Sequence, residues 1–92
     1  MEDQVVKPTN QVCPEVAAVR LFGLLAKHGP GPFGALVYAG AIWPGRAFKS
    51  DRVMLSSVGR MLKRVGGYER GSENGFSVWK YVGIKYLKIN IE

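Results

Sequence analysis

Ninety-two residues, 47% hydrophobic and 22% charged, are enough for one packed domain and too few for two cores, which argues against a disordered or multidomain chain. The net charge of +6 lies wholly in the second half: residues 1–45 balance Lys7, Arg20 and Lys27 against Glu2, Asp3 and Glu15, whereas residues 46–92 set ten Lys/Arg against Asp51, Glu69, Glu73 and Glu92. A domain that faces a polyanion with one side needs that asymmetry, although solubility alone also favours basic chains.

Residues 1–12 lack periodicity and carry Pro8, Thr9 and Asn10, so they read as a flexible arm. The acidic start "MEDQVV" does not read as a signal peptide, and no apolar run approaches the roughly 20 residues of a membrane span. A single cysteine, Cys13, cannot form an internal disulfide and agrees with a reducing compartment, so a cytoplasmic protein is expected.

"PEVAAVRLFGLLAKHG" predicts helix 1 over about 14–28. Pro14 suits the first helical position, Glu15 complements the dipole, and Lys27, His28 and Gly29 supply a stop. Val16, Val19, Leu21, Phe22, Leu24 and Leu25 are its expected core contacts. "PGP" at 30–32 turns the chain, with no short strand expected between helices 1 and 2. The apolar run "FGALVYAGAIW" then predicts a buried helix 2 at about 33–43, its alanines favouring helix over strand and Gly34 and Gly40 allowing close packing on helix 1 or 3.

"PGRAFKS" makes a basic loop ending in Ser50, a suitable N-cap. In helix 3, about 51–65, Met54, Val58, Met61, Leu62 and Val65 form a stripe of 3.6-residue period, and the opposite face shows Arg52, Ser56, Gly59, Arg60 and Lys63. Gly66-Gly67 stops the helix. "YERGSENGFSVWKYV" then alternates like two strands about Asn74-Gly75, a favoured tight-turn pair, which predicts a hairpin. The end "IKYLKINIE" alternates again at Leu87, Ile89 and Ile91, as a last strand or tail whose open edge invites a homodimer.

Helix, helix, basic helix and hairpin, with the run "SSVGRMLKRVGGYERG", resembles the recognition helix and first wing strand of the winged helix-turn-helix superfamily. The stretch "AIWPGRAFKSD" resembles small phage and prophage proteins of that organisation. The resemblance covers roughly positions 14–82 and implies an α+β winged-helix domain at 13–83, flanked by the arm and by the 84–92 strand or tail. Its link between helices 2 and 3 is longer than a tight helix-turn-helix connection.

The resemblance implies double-stranded DNA as partner, with helix 3 in the major groove and the hairpin wing on the backbone. Arg60 is then the best base reader, because an arginine can pair with guanine O6 and N7; Arg52, Ser56, Ser57, Lys63 and Arg64 accompany it. Arg46 and Lys49 would hold the backbone from the loop. Arg70 and Lys80 would do so from the wing, unless the hairpin, with Glu73 at its tip, is structural only. Trp43, Phe48, Phe76, Trp79, Tyr81 and Tyr86 offer stacking surfaces, but a core role is favoured for Trp43 and for Phe76 or Trp79, with Tyr68 packed under helix 3.

One histidine and one cysteine cannot make a four-ligand zinc site, His28 and Cys13 flank helix 1 about 20 Å apart, and "GGYERG" precedes a strand. Neither a cofactor, a metal nor an enzyme is expected. The expected protein is a DNA-binding transcriptional regulator of phage or mobile-element type. Its competitor is a winged-helix interaction module that inhibits or recruits a host protein through the basic face, and an RNA-binding module ranks third.

Overall fold

A computed structural model describes residues 12–83. Of the arm expected at 1–12 only Val12 is described, and it is half-buried against the core; residues 1–11 and the strand or tail at 84–92, with the dimer read from it, lie outside the described residues. The elements run α1 (Pro14–His28), β1 (Phe33–Gly34), α2 (Ala35–Ile42), α3 (Asp51–Val65), β2 (Tyr68–Glu73) and β3 (Phe76–Tyr81). Three helices pack with one antiparallel sheet of order β1-β3-β2, an α+β arrangement with β3 central.

Helix α1 begins and ends where its local signals place it: Pro14 opens it, and the Gly29 N–H donates to the Leu25 carbonyl at 2.8 Å. Its buried stripe is Ala17 and Leu21, with Leu24 packed beside them. Val16, Val19 and Phe22, expected in the core, face solvent instead. An apolar helix offers several candidate faces, and only the positions of α2 and α3 select one.

The apolar run after "PGP" divides into two elements. Phe33–Gly34 is a strand, paired with Trp79 and Val78 of β3, and the ladder continues where the Tyr81 N–H donates to the Pro30 carbonyl at 2.9 Å. The expectations of a helix from 33 and of no strand between the first two helices are therefore corrected. Gly31, at φ +98°, allows this approach: a Cβ there would stand 3.0 Å from the Phe33 nitrogen and 3.1 Å from the Trp79 carbonyl oxygen. Gly34 and Gly40 do not serve close helix packing, since a Cβ at either meets nothing within 4 Å.

Tyr38 of α2 ties helices to sheet. It is 1% exposed, and its hydroxyl donates to the Trp79 carbonyl oxygen at 2.5 Å. Its ring meets the edges of Phe33, Tyr68 and Trp79 at centroid distances of 5.9, 5.7 and 6.2 Å. Tyr68 thus packs against Tyr38, with Tyr81 on it at 5.1 Å, rather than simply beneath the third helix. At the far end of α2, Arg20 Nη1 donates to the Ile42 carbonyl at 2.7 Å and satisfies one terminal acceptor.

Burial pushes the Tyr38 hydroxyl from the ordinary 10.0 up to about 12, helped by the neighbouring Tyr68 and opposed by the Phe33 backbone hydrogen bond. Tyr68 is raised in the same direction, by burial and then by Tyr81. The fold therefore favours the neutral phenols. Their contribution is complete below about pH 10 and is lost as pH rises toward about 12, by about 1.4 kcal/mol per pH unit for Tyr38. Denaturant midpoints are expected to stay level up to about pH 10 and fall above it, and Tyr38→Phe should remove much of that slope.

Ser50 caps α3, its Oγ accepting from the Val53 N–H at 3.2 Å, and Gly66 closes it through the Leu62 carbonyl at 2.9 Å. Val58, Met61 and Leu62 of the α3 stripe are buried, with Met54 and Val65 packed against them. Asn74 and Gly75, at φ 53° and 84°, form the two-residue hairpin turn. Trp43 and Trp79 are core, whereas Phe76 is 74% exposed, so the choice between Phe76 and Trp79 falls to Trp79.

Candidate nucleic-acid interface

The outward side of α3 is cationic because its only acidic residue, Asp51, stands in the first turn, where it complements the helix dipole. Arg52, Ser56, Arg60, Lys63 and Arg64 are exposed, and Ser57 and Gly59 are half-buried. A helix turn of 3.6 residues sorts them into two flanks, and a recess borders α3 on each side.

On the sheet side, Arg52, Leu55, Ser56 and Gly59 face Arg70 and Trp79 across a cleft of about 330 Å³. A Cβ at Gly59 would lie 3.6 Å from the Trp79 ring, so this glycine borders the sheet at Trp79. Arg70 is held over that floor. Its Nη2 donates to Ser77 Oγ at 2.7 Å, and its guanidinium stands 5.9 Å from the Trp79 ring centroid.

On the α1 side, Ser57, Arg60, Met61 and Arg64 line a wider groove of about 720 Å³ with Val12, Cys13, Pro14 and Trp43. Arg60 thus belongs with Ser57 and Arg64 at the start of α1, and Arg52 and Ser56 belong with Arg70. Lys63 stands exposed on the same helix and lines neither recess. The Trp43 wall continues into the 43–50 loop, where Phe48 meets it edge-on at 5.6 Å and the Arg46 guanidinium stacks 5.4 Å from Trp43 and 4.3 Å from Phe48. Arg46 is a positioned cation, while Lys49 is simply exposed on that loop.

The hairpin's two cations do not form one patch. Arg70 pairs in register with Trp79, and Lys80 pairs with Glu69, so alternation points them to opposite faces of the sheet. Arg70 joins the α3 cleft, whereas Lys80 shares its face with a carboxylate. Glu73 stands at the exposed strand end beside the turn, opposite Phe76.

The signal missed in the sequence was tryptophan as scaffold: Trp79 floors one recess and Trp43 walls the other. Among the described residues no group of three or more His, Cys, Asp or Glu can hold a metal ion, and no helix is long and apolar enough to cross a membrane. Cys13 and His28 sit exposed at opposite ends of α1.

Comparison of the chain with protein-family models, curated proteins and solved structures finds no match. Fold and site together define an α+β domain of three helices and a three-stranded antiparallel sheet, compatible with a winged-helix-like arrangement and bearing a cationic third helix.

Proposed function

We propose that this protein is a small winged-helix DNA-binding protein, a transcriptional regulator of phage or mobile-element type, that lays α3 in a major groove and the β2–β3 wing along the backbone. The observation that carries this reading is the sign of the charge around α3. Arg52, Arg60, Lys63 and Arg64 are exposed on the helix, Arg70 faces it across one cleft, and Arg46 stacks on the Trp43 wall of the other. Polyphosphate recognition needs such a cationic ridge, with donors on both flanks where the two strands of a duplex run. The strand β1 between α1 and α2, paired to the wing's return strand, adds the element order of the winged-helix class.

Arg60 is the base reader in this reading, with Ser57 and Arg64 beside it as phosphate donors. Arg60→Ala is expected to weaken duplex binding by about 1–3 kcal/mol while leaving the melting temperature nearly unchanged, because the side chain is exposed. Fluorescence anisotropy on a labelled duplex library, paired with thermal melts, measures both. Unaltered affinity in a folded variant removes Arg60 from the interface.

A further inference from the structure

The groove beside the start of α1 is lined by side chains that can give hydrogen bonds and by none that carries a negative charge. Its polar side chains are Arg60, Arg64, Ser57, the Cys13 thiol and the Trp43 indole, with no carboxylate among them. Val12, Pro14, Met61 and the Trp43 ring make the rest of the wall apolar. At about 720 Å³ the groove lies within the size range of small-molecule sites, roughly 300–1,000 Å³.

Two features set it apart from an ordinary basic surface. The guanidiniums of Arg20 and Arg70 are already used, donating to the Ile42 carbonyl and to Ser77 Oγ, and that of Arg46 is stacked on Trp43 and Phe48. By contrast Arg60 and Arg64, one helical turn apart on the same flank of α3, make no hydrogen bond or ion pair from their guanidiniums to a described residue. Trp43 is only 7% exposed, and its buried Nε1–H has no acceptor among the described residues. A buried N–H is almost always paired, so this wall lacks an acceptor that a bound molecule can bring.

We propose that this groove binds a small organic anion, an oxyanion head on an apolar body. The head lies between Arg60 and Arg64, accepting charge-assisted hydrogen bonds from the guanidiniums and offering further lone pairs to Ser57 and the indole N–H. The body covers Met61, Val12 and Pro14. A bare inorganic anion satisfies the first half of the lining and not the second. Carboxylate and phosphate monoester heads share this chemistry. In the DNA-binding reading the ligand and the duplex need the same two guanidiniums, so the ligand should displace the duplex; this consequence alone rests on that reading.

The test follows the two indole N–H resonances of the isotope-labelled full chain, without DNA, as benzoate, phenyl phosphate or inorganic phosphate is added. At least one aromatic probe should shift the Trp43 resonance saturably, with a dissociation constant of roughly 0.1–1 mM for a ligand of about ten non-hydrogen atoms. The Trp79 resonance, from the floor of the opposite recess, should stay in place. The tighter aromatic probe identifies the head group, and inorganic phosphate should bind at least about tenfold more weakly than it. Arg60→Gln and Arg64→Gln, both at exposed positions, should each weaken binding by about tenfold. Lys27→Gln, which removes the same charge at the far end of α1, should leave it unchanged.

A Trp43 resonance that neither aromatic probe shifts saturably up to about 10 mM overturns the proposal. So does equal weakening by the lysine change, which would mean general attraction to a basic chain, or inorganic phosphate that binds as tightly, an adventitious ion only. Fluorescence anisotropy of a labelled duplex with the tighter probe at saturation tests the displacement. A probe that fills the groove yet leaves duplex affinity unaltered overturns the competition, whereas duplex binding that is absent altogether counts against the DNA reading and not against the anion site.

Discussion

Leu62→Ala is expected to lower the stability of the domain by roughly 2–5 kcal/mol, the range for a buried leucine that leaves a cavity. Leu62 is 1% exposed and lies in the cluster joining Ala17 and Leu21 of α1, Ile42 of α2, Val58 and Met61 of α3 and Trp79 of β3. Few neighbours there can move into the gap, because each helix is fixed at its own end by a hydrogen-bonded cap or carbonyl. A 92-residue domain typically has only about 5–15 kcal/mol to lose, so the variant should melt many degrees lower. Phe76→Ala is the control. Although as large and apolar, Phe76 is 74% exposed and should change stability by only about 0.5 kcal/mol. Equal effects from the two would contradict the core described here.

The largest effect on binding is expected from neutralising the third helix. Replacing Arg52, Arg60, Lys63 and Arg64 together with glutamine should lower duplex affinity by roughly a thousandfold at about 0.1 M salt, at about 1 kcal/mol for each lost contact. The four side chains are exposed, so the fold should persist and gain slightly from reduced self-repulsion. The dependence of log affinity on log salt should also flatten by about 0.9 per lost phosphate contact. Filter binding across a salt series separates the two consequences. A small loss of affinity with an unchanged slope would mean that the cations lie outside the contact.

What the sequence discloses depends on how local the cause is. Both long helices start and stop at residues with a physical reason for it, Pro14, Gly29, Ser50 and Gly66, and the hairpin turns at Asn74-Gly75 because both residues accept positive φ. The α3 stripe is also legible, since a cationic face opposite an apolar one leaves no choice of core side. Strand β1 is hidden for the opposite reason. Its two residues sit in an apolar run, and their partners Trp79 and Val78 lie more than forty residues away. The same distance hides which side of α1 is buried, as its apolar residues surround most of the helix.

The site divides in the same way. Its cations are visible as residue types, but their sorting into a sheet-side cleft and an α1-side groove depends on where β3 and the start of α1 come to rest. The separation of Arg70 from Lys80 is a different case. Fixing the turn at Asn74-Gly75 sets the register, pairing Arg70 with Trp79 and Glu69 with Lys80, so strand alternation alone divides the two cations.

The central claim is that the cationic third helix and its flanking clefts bind duplex DNA. Titration of the wild-type full chain onto a random-sequence duplex at several salt concentrations tests it most directly, with an acidic protein of similar net charge as a parallel ligand. The account predicts duplex binding at low salt and a log–log slope between about −4.5 and −7, the value for roughly five to eight neutralised phosphates, together with much weaker retention of the acidic protein. No duplex binding at about 50 mM salt, or equal retention of the acidic protein, would contradict it.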